Sequence, residues 1–124
     1  MIIESVVWMS FCIYYEARNQ PLEAQIMVGH TCLNRSVKRK MTVKEVIQQP
    51  KQFSWYAKGF VPMIREPGSF IKAVEAALKV YFRHYCGMRL GGVDHFYSDD
   101  IDQPYWASGM KRLGKVGAFY YFRS

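Results

Sequence analysis

Residues 4–17, ESVVWMSFCIYYEA, contain no Gly or Pro and carry apolar side chains on nearly every side of a predicted helix. A helix that is apolar on most faces has to be buried by the rest of the chain. It cannot span a bilayer, because only eleven residues separate Glu4 from Glu16 and a span needs about 20 apolar residues. The sequence therefore predicts a central helix buried within a helical domain.

Three more helices are predicted from caps and apolar spacing. One runs from Pro21 to about Lys38, since proline suits a first helical turn. A T-x-x-E capping box predicts a short helix over about 43–49. The last covers about 70–86, with Ser69 as its N-cap and Gly87 as its C-cap.

The remaining segments are predicted to be a loop and a small β element. Residues 51–68 are rich in proline, glycine and aromatic residues and are predicted to form a long surface loop, of the kind that often carries function. Two β-like pieces, 93–98 and 116–122, follow, linked through residues 99–114. The prediction is one α+β domain over residues 1–124, mostly helical, with a small antiparallel β element near the C-terminus.

The charge of the chain is basic and unevenly placed. The formal net charge is +7, and residues 34–91 hold twelve of the 17 Lys and Arg residues. Five positive charges fall within ten residues there, as a solvated helix end or an anion-binding patch: Arg35, Lys38, Arg39, Lys40 and Lys44. Such a field attracts nucleic acid, an anionic membrane or an acidic cell-wall polymer, and charge alone does not choose among them.

The cysteine count and the N-terminus indicate where the chain is made. Cys12, Cys32 and Cys86 form an odd set without a C-x-x-C motif, so neither a disulfide framework nor a zinc site is expected. The segment before Glu16 lacks the basic start and cleavage site of a secretion signal. These features predict synthesis in a reducing cytoplasm, with no metal and no other cofactor.

Glu16 is the first candidate for chemistry. It lies at the end of an apolar helix, beside Tyr14 and Tyr15, where desolvation raises the pKa of a carboxyl and lets it hold a proton as a general acid. The alternative is a solvated helix-end glutamate paired with Arg18. Glu23 is a secondary candidate, although a carboxylate in a first helical turn is also explained by the helix dipole.

Two other segments suggest a carbohydrate site. The loop around Gln52, Phe53, Ser54 and Trp55 combines an amide, a hydroxyl and two aromatic rings, which is how sugar rings are often held; loop aromatics that cap the core are the alternative. In the strand-like run 94–97, DHFY, the side chains of His95 and Tyr97 share one face, which either lines a cleft or packs inward.

Taken together, these pieces resemble the SleB/CwlJ-type cell wall hydrolases. Residues 15–25, YEARNQPLEAQ, are similar to that family's opening E-A-R-G-E-P-x-E-G-Q signature, and an L-N-R triplet follows at 33–35. Weaker matches follow in the same order as in the family: VI at 46–47, Q-P-K-Q-F-S at 49–54, DHFY at 94–97 and WA at 106–107. The resemblance extends over about residues 10–122. The chain departs from the signature at three positions: Asn19, Gln20 and Ala24 replace Gly, Glu and Gly.

The resemblance implies an enzyme with a lysozyme-like fold, which cleaves the bond between N-acetylmuramic acid and N-acetylglucosamine in peptidoglycan. It implies that Glu16 is the catalytic acid and that Glu23 and Arg18 are possible secondary residues. Gln52, Ser54, His95 and Tyr97 are expected to contact the glycan, and Phe53 and Trp55 to stack on sugar rings. The expected activity is that of a lytic transglycosylase giving 1,6-anhydro products, with no cofactor.

Other functions and the biological setting are also expectations at this point. The enzymatic alternatives are a hydrolytic muramidase and a zinc amidase acting on the stem peptides, and the non-enzymatic one is a basic nucleic-acid-binding module. The size and the absent signal suggest a monomeric phage endolysin, made in the host cytoplasm and reaching the wall through a holin lesion. Neither nucleic-acid binding nor stable membrane insertion is expected. A trimmed domain of a longer cell-wall enzyme would look the same.

Overall fold

The computed structural model describes residues 2–50, 52–57, 59–85 and 92–124. Four α-helices come first: α1 (Ile2–Ala17), α2 (Leu22–Arg39), α3 (Val43–Gln48) and α4 (Pro67–Tyr85). They are followed by β1 (His95–Ser98), a short 3₁₀ turn (Ala107–Gly109), β2 (Lys111–Val116) and β3 (Phe119–Arg123). The predicted α+β class, mostly helical with a small antiparallel sheet near the C-terminus, is confirmed.

The helices pack around α1, as its apolar composition requires. α1 contacts α2, α3 and α4, and its side chains Met9, Cys12 and Ile13 are completely buried. α2 crosses α1 and α4 at Gly29, where an added Cβ would lie 2.7 Å from Cγ2 of Val80. No helix in the described part of the chain is both long and apolar enough to cross a membrane.

Local signals place most helix boundaries as predicted. The capping box is present: Thr42 Oγ1 accepts from the Glu45 amide at 3.1 Å, and Glu45 Oε1 accepts from the Thr42 amide at 3.2 Å. The prediction that Ser69 caps α4 is wrong, because the helix begins two residues earlier at Pro67, whose fixed φ and missing N–H suit a first turn. The predicted end of this helix near 86 and its cap at Gly87 lie outside the described residues.

The sheet has three antiparallel strands in the order β1-β3-β2. In its register His95 lies opposite Phe122, and Tyr97 lies opposite Tyr120. The prediction of a linker through residue 114 is wrong, because Lys111–Val116 is a strand paired with β3. The turn between β2 and β3 lies against the α1–α2 junction, where the Ala118 amide donates to Gln20 Oε1 at 2.9 Å.

Candidate active site

A groove runs between the helices and the sheet and consists of two adjoining cavities. The acid cavity, of about 350 Å³, is lined by Glu16 together with residues of the 52–54 loop, β1 and the segment after it. The basic cavity, of about 560 Å³, is lined by Arg35, Arg39, Gln52, His95, Phe96, Tyr105, Trp106 and Met110. The two cavities share Arg35, Gln52, Phe96 and Trp106, so they form one continuous groove.

Glu16 lies in the last turn of α1 and is half-buried in the wall of the acid cavity. Burial raises the pKa of its carboxyl above the ordinary glutamate value, while the Trp55 indole and the Arg35 guanidinium act more weakly in the opposite direction. The helix stops one residue later, at Ala17, so the carboxyl is held by a rigid element at the edge of a chain reversal. Glu16 is therefore able to hold a proton beside an open cavity.

Trp55 lies beside Glu16 and does not line the groove. Its ring stacks on Tyr15 with centroids 5.0 Å apart and meets Phe60 edge-on at 5.3 Å. Tyr15 therefore occupies one face of the half-buried Trp55 ring, and the role of Trp55 as a sugar-stacking surface stays a prediction. Its buried indole N–H lies near enough to the Glu16 carboxyl to favour the charged form of that group.

Arg35 connects α2 to the loop and the sheet. Its Nε donates to the Asp94 carbonyl at 2.6 Å and its Nη1 to Gln52 Oε1 at 3.5 Å, and its guanidinium lies 5.5 Å from the Phe53 ring centroid. Only 8% of Arg35 is exposed, so it is not part of a solvated helix end. Burial lowers the pKa of its guanidinium, which an arginine tolerates while staying charged.

Asp94 anchors the β1 side of the groove. Its buried carboxylate accepts from Lys38 Nζ at 3.1 Å and from the Ser124 amide at 2.9 Å, and it lies 3.0 Å from His95 Nδ1. Burial acts to raise the pKa of Asp94, but the bonds from His95, Ser124 and Lys38 outweigh it and hold that pKa well below its usual range. Burial lowers the pKa of His95, against the opposing effect of Asp94. A neutral His95 held by Asp94 thus lines the groove.

The structure brings most of the predicted glycan-binding residues into the groove. Gln52, Phe53, Ser54 and Tyr97 line the acid cavity with Glu16, and Gln52 and His95 line the basic cavity. Phe53 is almost fully buried, so it presents little of its ring. His95 and Tyr97 share one face, as the strand alternation predicts, and both pack against Trp106.

The two secondary candidates lie away from the groove. Arg18 donates to Glu66 at 2.6 Å and lines a different cavity with Tyr14. Glu23 is exposed in the first turn of α2 and lines neither part of the groove. The geometry therefore gives Arg18 a structural contact and Glu23 a position at the helix dipole.

Sequence reasoning did not include Trp106 or Phe96 among the site residues, and it placed Arg35 and Arg39 only in a basic cluster. Trp106 follows a polar, proline-containing segment, and its packing on His95, Tyr97 and Phe122 brings it to the groove. A tryptophan and a histidine separated by a short stretch of chain are too common in sequences to predict such a contact.

Metal ligands are absent from the described part of the chain, where no group of His, Cys, Asp or Glu could hold an ion. Cys12 and Cys32 are both buried as thiols, with their sulfurs 3.2 Å apart. Burial raises the pKa of the Cys12 thiol well above its ordinary value, so it stays protonated.

A small, mostly helical domain with a half-buried acid in a groove between helices and a three-stranded sheet has a lysozyme-like arrangement. The model of the Cell Wall Hydrolase family matches residues 19–122, so the chain belongs to that family of cell-wall-degrading enzymes. The match begins three residues after Glu16, whose role therefore rests on the geometry of the groove.

Two solved structures share the fold. The catalytic domain of the Bacillus cereus SleB protein matches with a TM-score of 0.76 and 21% identity, over 96% of this chain and 89% of that one. The catalytic domain of the germination-specific lytic transglycosylase SleB from Bacillus anthracis matches with a TM-score of 0.77 and 21% identity, over 96% and 93%. No curated protein sequence matches the chain.

Proposed function

We propose that this enzyme is a peptidoglycan lytic transglycosylase in which Glu16 serves as both acid and base. The observation that carries the proposal is a single carboxyl with a raised pKa, set in a groove that no second carboxyl of the described residues lines. An inverting hydrolase needs a second carboxylate to activate water. The Bacillus anthracis protein that shares the fold is itself a lytic transglycosylase, which supports the same activity here.

Glu16 starts the reaction by donating its proton to the oxygen between N-acetylmuramic acid and N-acetylglucosamine. The positive charge that develops on the muramoyl ring is stabilised by that sugar's own acetamido group, which replaces the missing second carboxylate. The Glu16 carboxylate left behind is favoured by the Trp55 indole and the Arg35 guanidinium.

Glu16 then completes the reaction as a base. Its carboxylate removes the proton from the muramoyl 6-hydroxyl, whose oxygen attacks the anomeric carbon and closes the 1,6-anhydro ring. Glu16 is protonated again at the end, so no external proton donor is consumed. Gln52, Ser54, His95 and Tyr97 line the groove where the sugar rings would contact the protein.

The decisive test is Glu16→Gln, assayed on purified sacculi. We expect a loss of activity of about 10²–10⁴-fold, the usual contribution of a general acid, with an unchanged circular dichroism spectrum. Glu23→Gln is the matched control, because it makes the same change on an exposed carboxyl outside the groove. Clearing of sacculi by Glu16→Gln at the wild-type rate would refute the proposal.

Product analysis separates the remaining enzymatic alternatives. Mass spectrometry of the wild-type digest should show anhydro-muropeptides, lighter by one water than the products of a muramidase. Reducing muramic acid ends would instead indicate hydrolysis, and free stem peptides would indicate an amidase.

The setting that we propose is bacteriolysis by a small endolysin acting on the cell wall. The net charge of +7 supports adhesion to an anionic envelope polymer.

A further inference from the structure

The basic cavity is the least explained part of the groove. It is the larger of the two cavities, and Arg35, Arg39 and His95 contribute the basic side chains on its walls. None of the described residues that line it carries a carboxyl. General acid chemistry at Glu16 does not require this concentration of positive charge.

Neutral groups hold the two guanidiniums in place. Arg39 Nη1 donates to Gln49 Oε1 at 2.7 Å and to Gln52 Oε1 at 2.9 Å, and Arg35 Nη1 donates to the same Gln52 oxygen at 3.5 Å. Within the described residues, neither arginine forms an ion pair. Two like charges therefore converge on one amide oxygen without being neutralised.

The nearby Asp94 carboxylate forms no ion pair with either arginine, and its charge affects the pKa of Arg35 much less than burial does. Asp94 offers Arg35 only its backbone carbonyl, and its carboxylate is taken up by Lys38, His95 and Ser124. A concave, partly desolvated wall strengthens the field of such charges and attracts an anion. The guanidinium of Arg39 keeps donors beyond the Nη1 used by the two amides, and its planar fork suits a carboxylate.

We propose that the basic cavity is a carboxylate subsite that binds the acidic substituent of a muramoyl residue. This inference rests on the proposed function and extends it to substrate register. In an alternating glycan only the muramoyl unit carries a carboxyl, either on its lactyl group or on its stem peptide. A carboxylate held at Arg39 fixes which of the two alternating glycosidic bonds lies at Glu16. The subsite also distinguishes peptidoglycan from neutral glycans.

The experiment compares soluble glycan strands that differ only in their carboxyl groups. One set of strands retains its stem peptides, and a second set is stripped to the free lactyl acid. In part of each set, the amines are acetylated and the carboxyl groups are then converted to methyl amides. This gives four substrates, an acid and an amide form of each set. Wild type, Arg39→Gln and Lys72→Gln are assayed on all four. Lys72 is exposed on α4 outside the groove, so its change is a matched control for loss of one charge.

We expect the wild type to show a KM about tenfold lower on a carboxylate-bearing strand than on its amide, as a charged hydrogen bond would give. Arg39→Gln should lose this preference, and Lys72→Gln should retain it. If the preference appears with the stem-bearing pair the ligand is the peptide, and if it appears with the stripped pair the ligand is the lactyl group.

If the wild type has the same KM on the carboxylate-bearing strands as on their methyl amides, that result alone overturns the inference. So would equal losses of preference in Arg39→Gln and Lys72→Gln, which would indicate a general charge effect. These outcomes differ from failure of the proposed function, in which the wild type cleaves none of the strands or Glu16→Gln cleaves them normally.

Discussion

At the scale of single residues, Glu16 is controlled by two opposing influences. Burial favours its protonated form, whereas the Trp55 indole and the Arg35 guanidinium favour the carboxylate. A group that gives up and regains a proton in each turnover works best when its pKa lies near the working pH. The stacking of Trp55 on Tyr15 fixes the indole beside the acid, and we infer that Trp55 positions and tunes Glu16.

Trp55→Phe tests this tuning through the pH profile. The proposed acid must be protonated, so kcat/KM should fall as pH rises through the pKa of Glu16. Removing the indole N–H removes an influence that lowers this pKa, so the alkaline limb should move to higher pH, by up to about one pH unit. The measurement is kcat/KM on soluble glycan strands across the pH range.

Trp8→Phe is the control, because Trp8 contacts Phe11 and Tyr56 and does not line the groove. An alkaline limb that stays in place in Trp55→Phe, or moves to lower pH, would contradict the tuning role.

At the scale of elements, Gly29 sets how closely α2 approaches its neighbours. A Cβ there would lie 2.7 Å from Val80 Cγ2 on α4 and 3.2 Å from Ile13 Cδ1 on α1. Both groups are completely buried, so neither can move without disturbing the core. The three-helix body that carries Glu16 and Arg35 depends on this close approach.

Gly29→Ala should therefore destabilise the protein although alanine is the better helix former. Overpacking costs about 1–3 kcal/mol and the gain in helix propensity is about 1 kcal/mol, so a net loss is expected in the wild type. In a Val80→Ala background the closest contact is gone, so the same change should cost clearly less stability. Urea unfolding of the four variants measures both effects; an equal loss of stability in both backgrounds would contradict the packing argument.

The elements also show what the sequence can and cannot predict. Apolar spacing and caps are local, so α1, α2 and α3 are predicted within a few residues. Strand β2 is not predicted in this way, because its sequence KRLGKV is polar and forms a strand only through pairing with β3. Trp55 could not be assigned either, since an aromatic residue in a loop looks the same whether it stacks on a sugar or on Tyr15.

At the scale of the whole molecule, the groove requires both halves of the chain. The helical body supplies Glu16, Arg35 and Arg39, while the sheet and the segment before β2 supply His95 and Trp106. Asp94 links the halves through Lys38 of α2 and the C-terminal Ser124. The groove is therefore a property of the tertiary fold, and a motif in residues 15–25 locates only one side of it.

The charge of the whole molecule predicts how salt affects activity. The net charge of +7 would attract an anionic wall over a long range. The pKa of Glu16, by contrast, is set by burial and by groups close to it. Raising salt from about 0.01 M to about 1 M shortens the Debye length from about 30 Å to about 3 Å. We therefore expect KM on sacculi to rise by roughly tenfold or more, because steering and adhesion are screened, with little change in kcat.

Steady-state assays at fixed pH separate the two parameters. A fall in kcat at constant KM would mean that salt acts on the chemistry at Glu16, against a long-range role for the net charge.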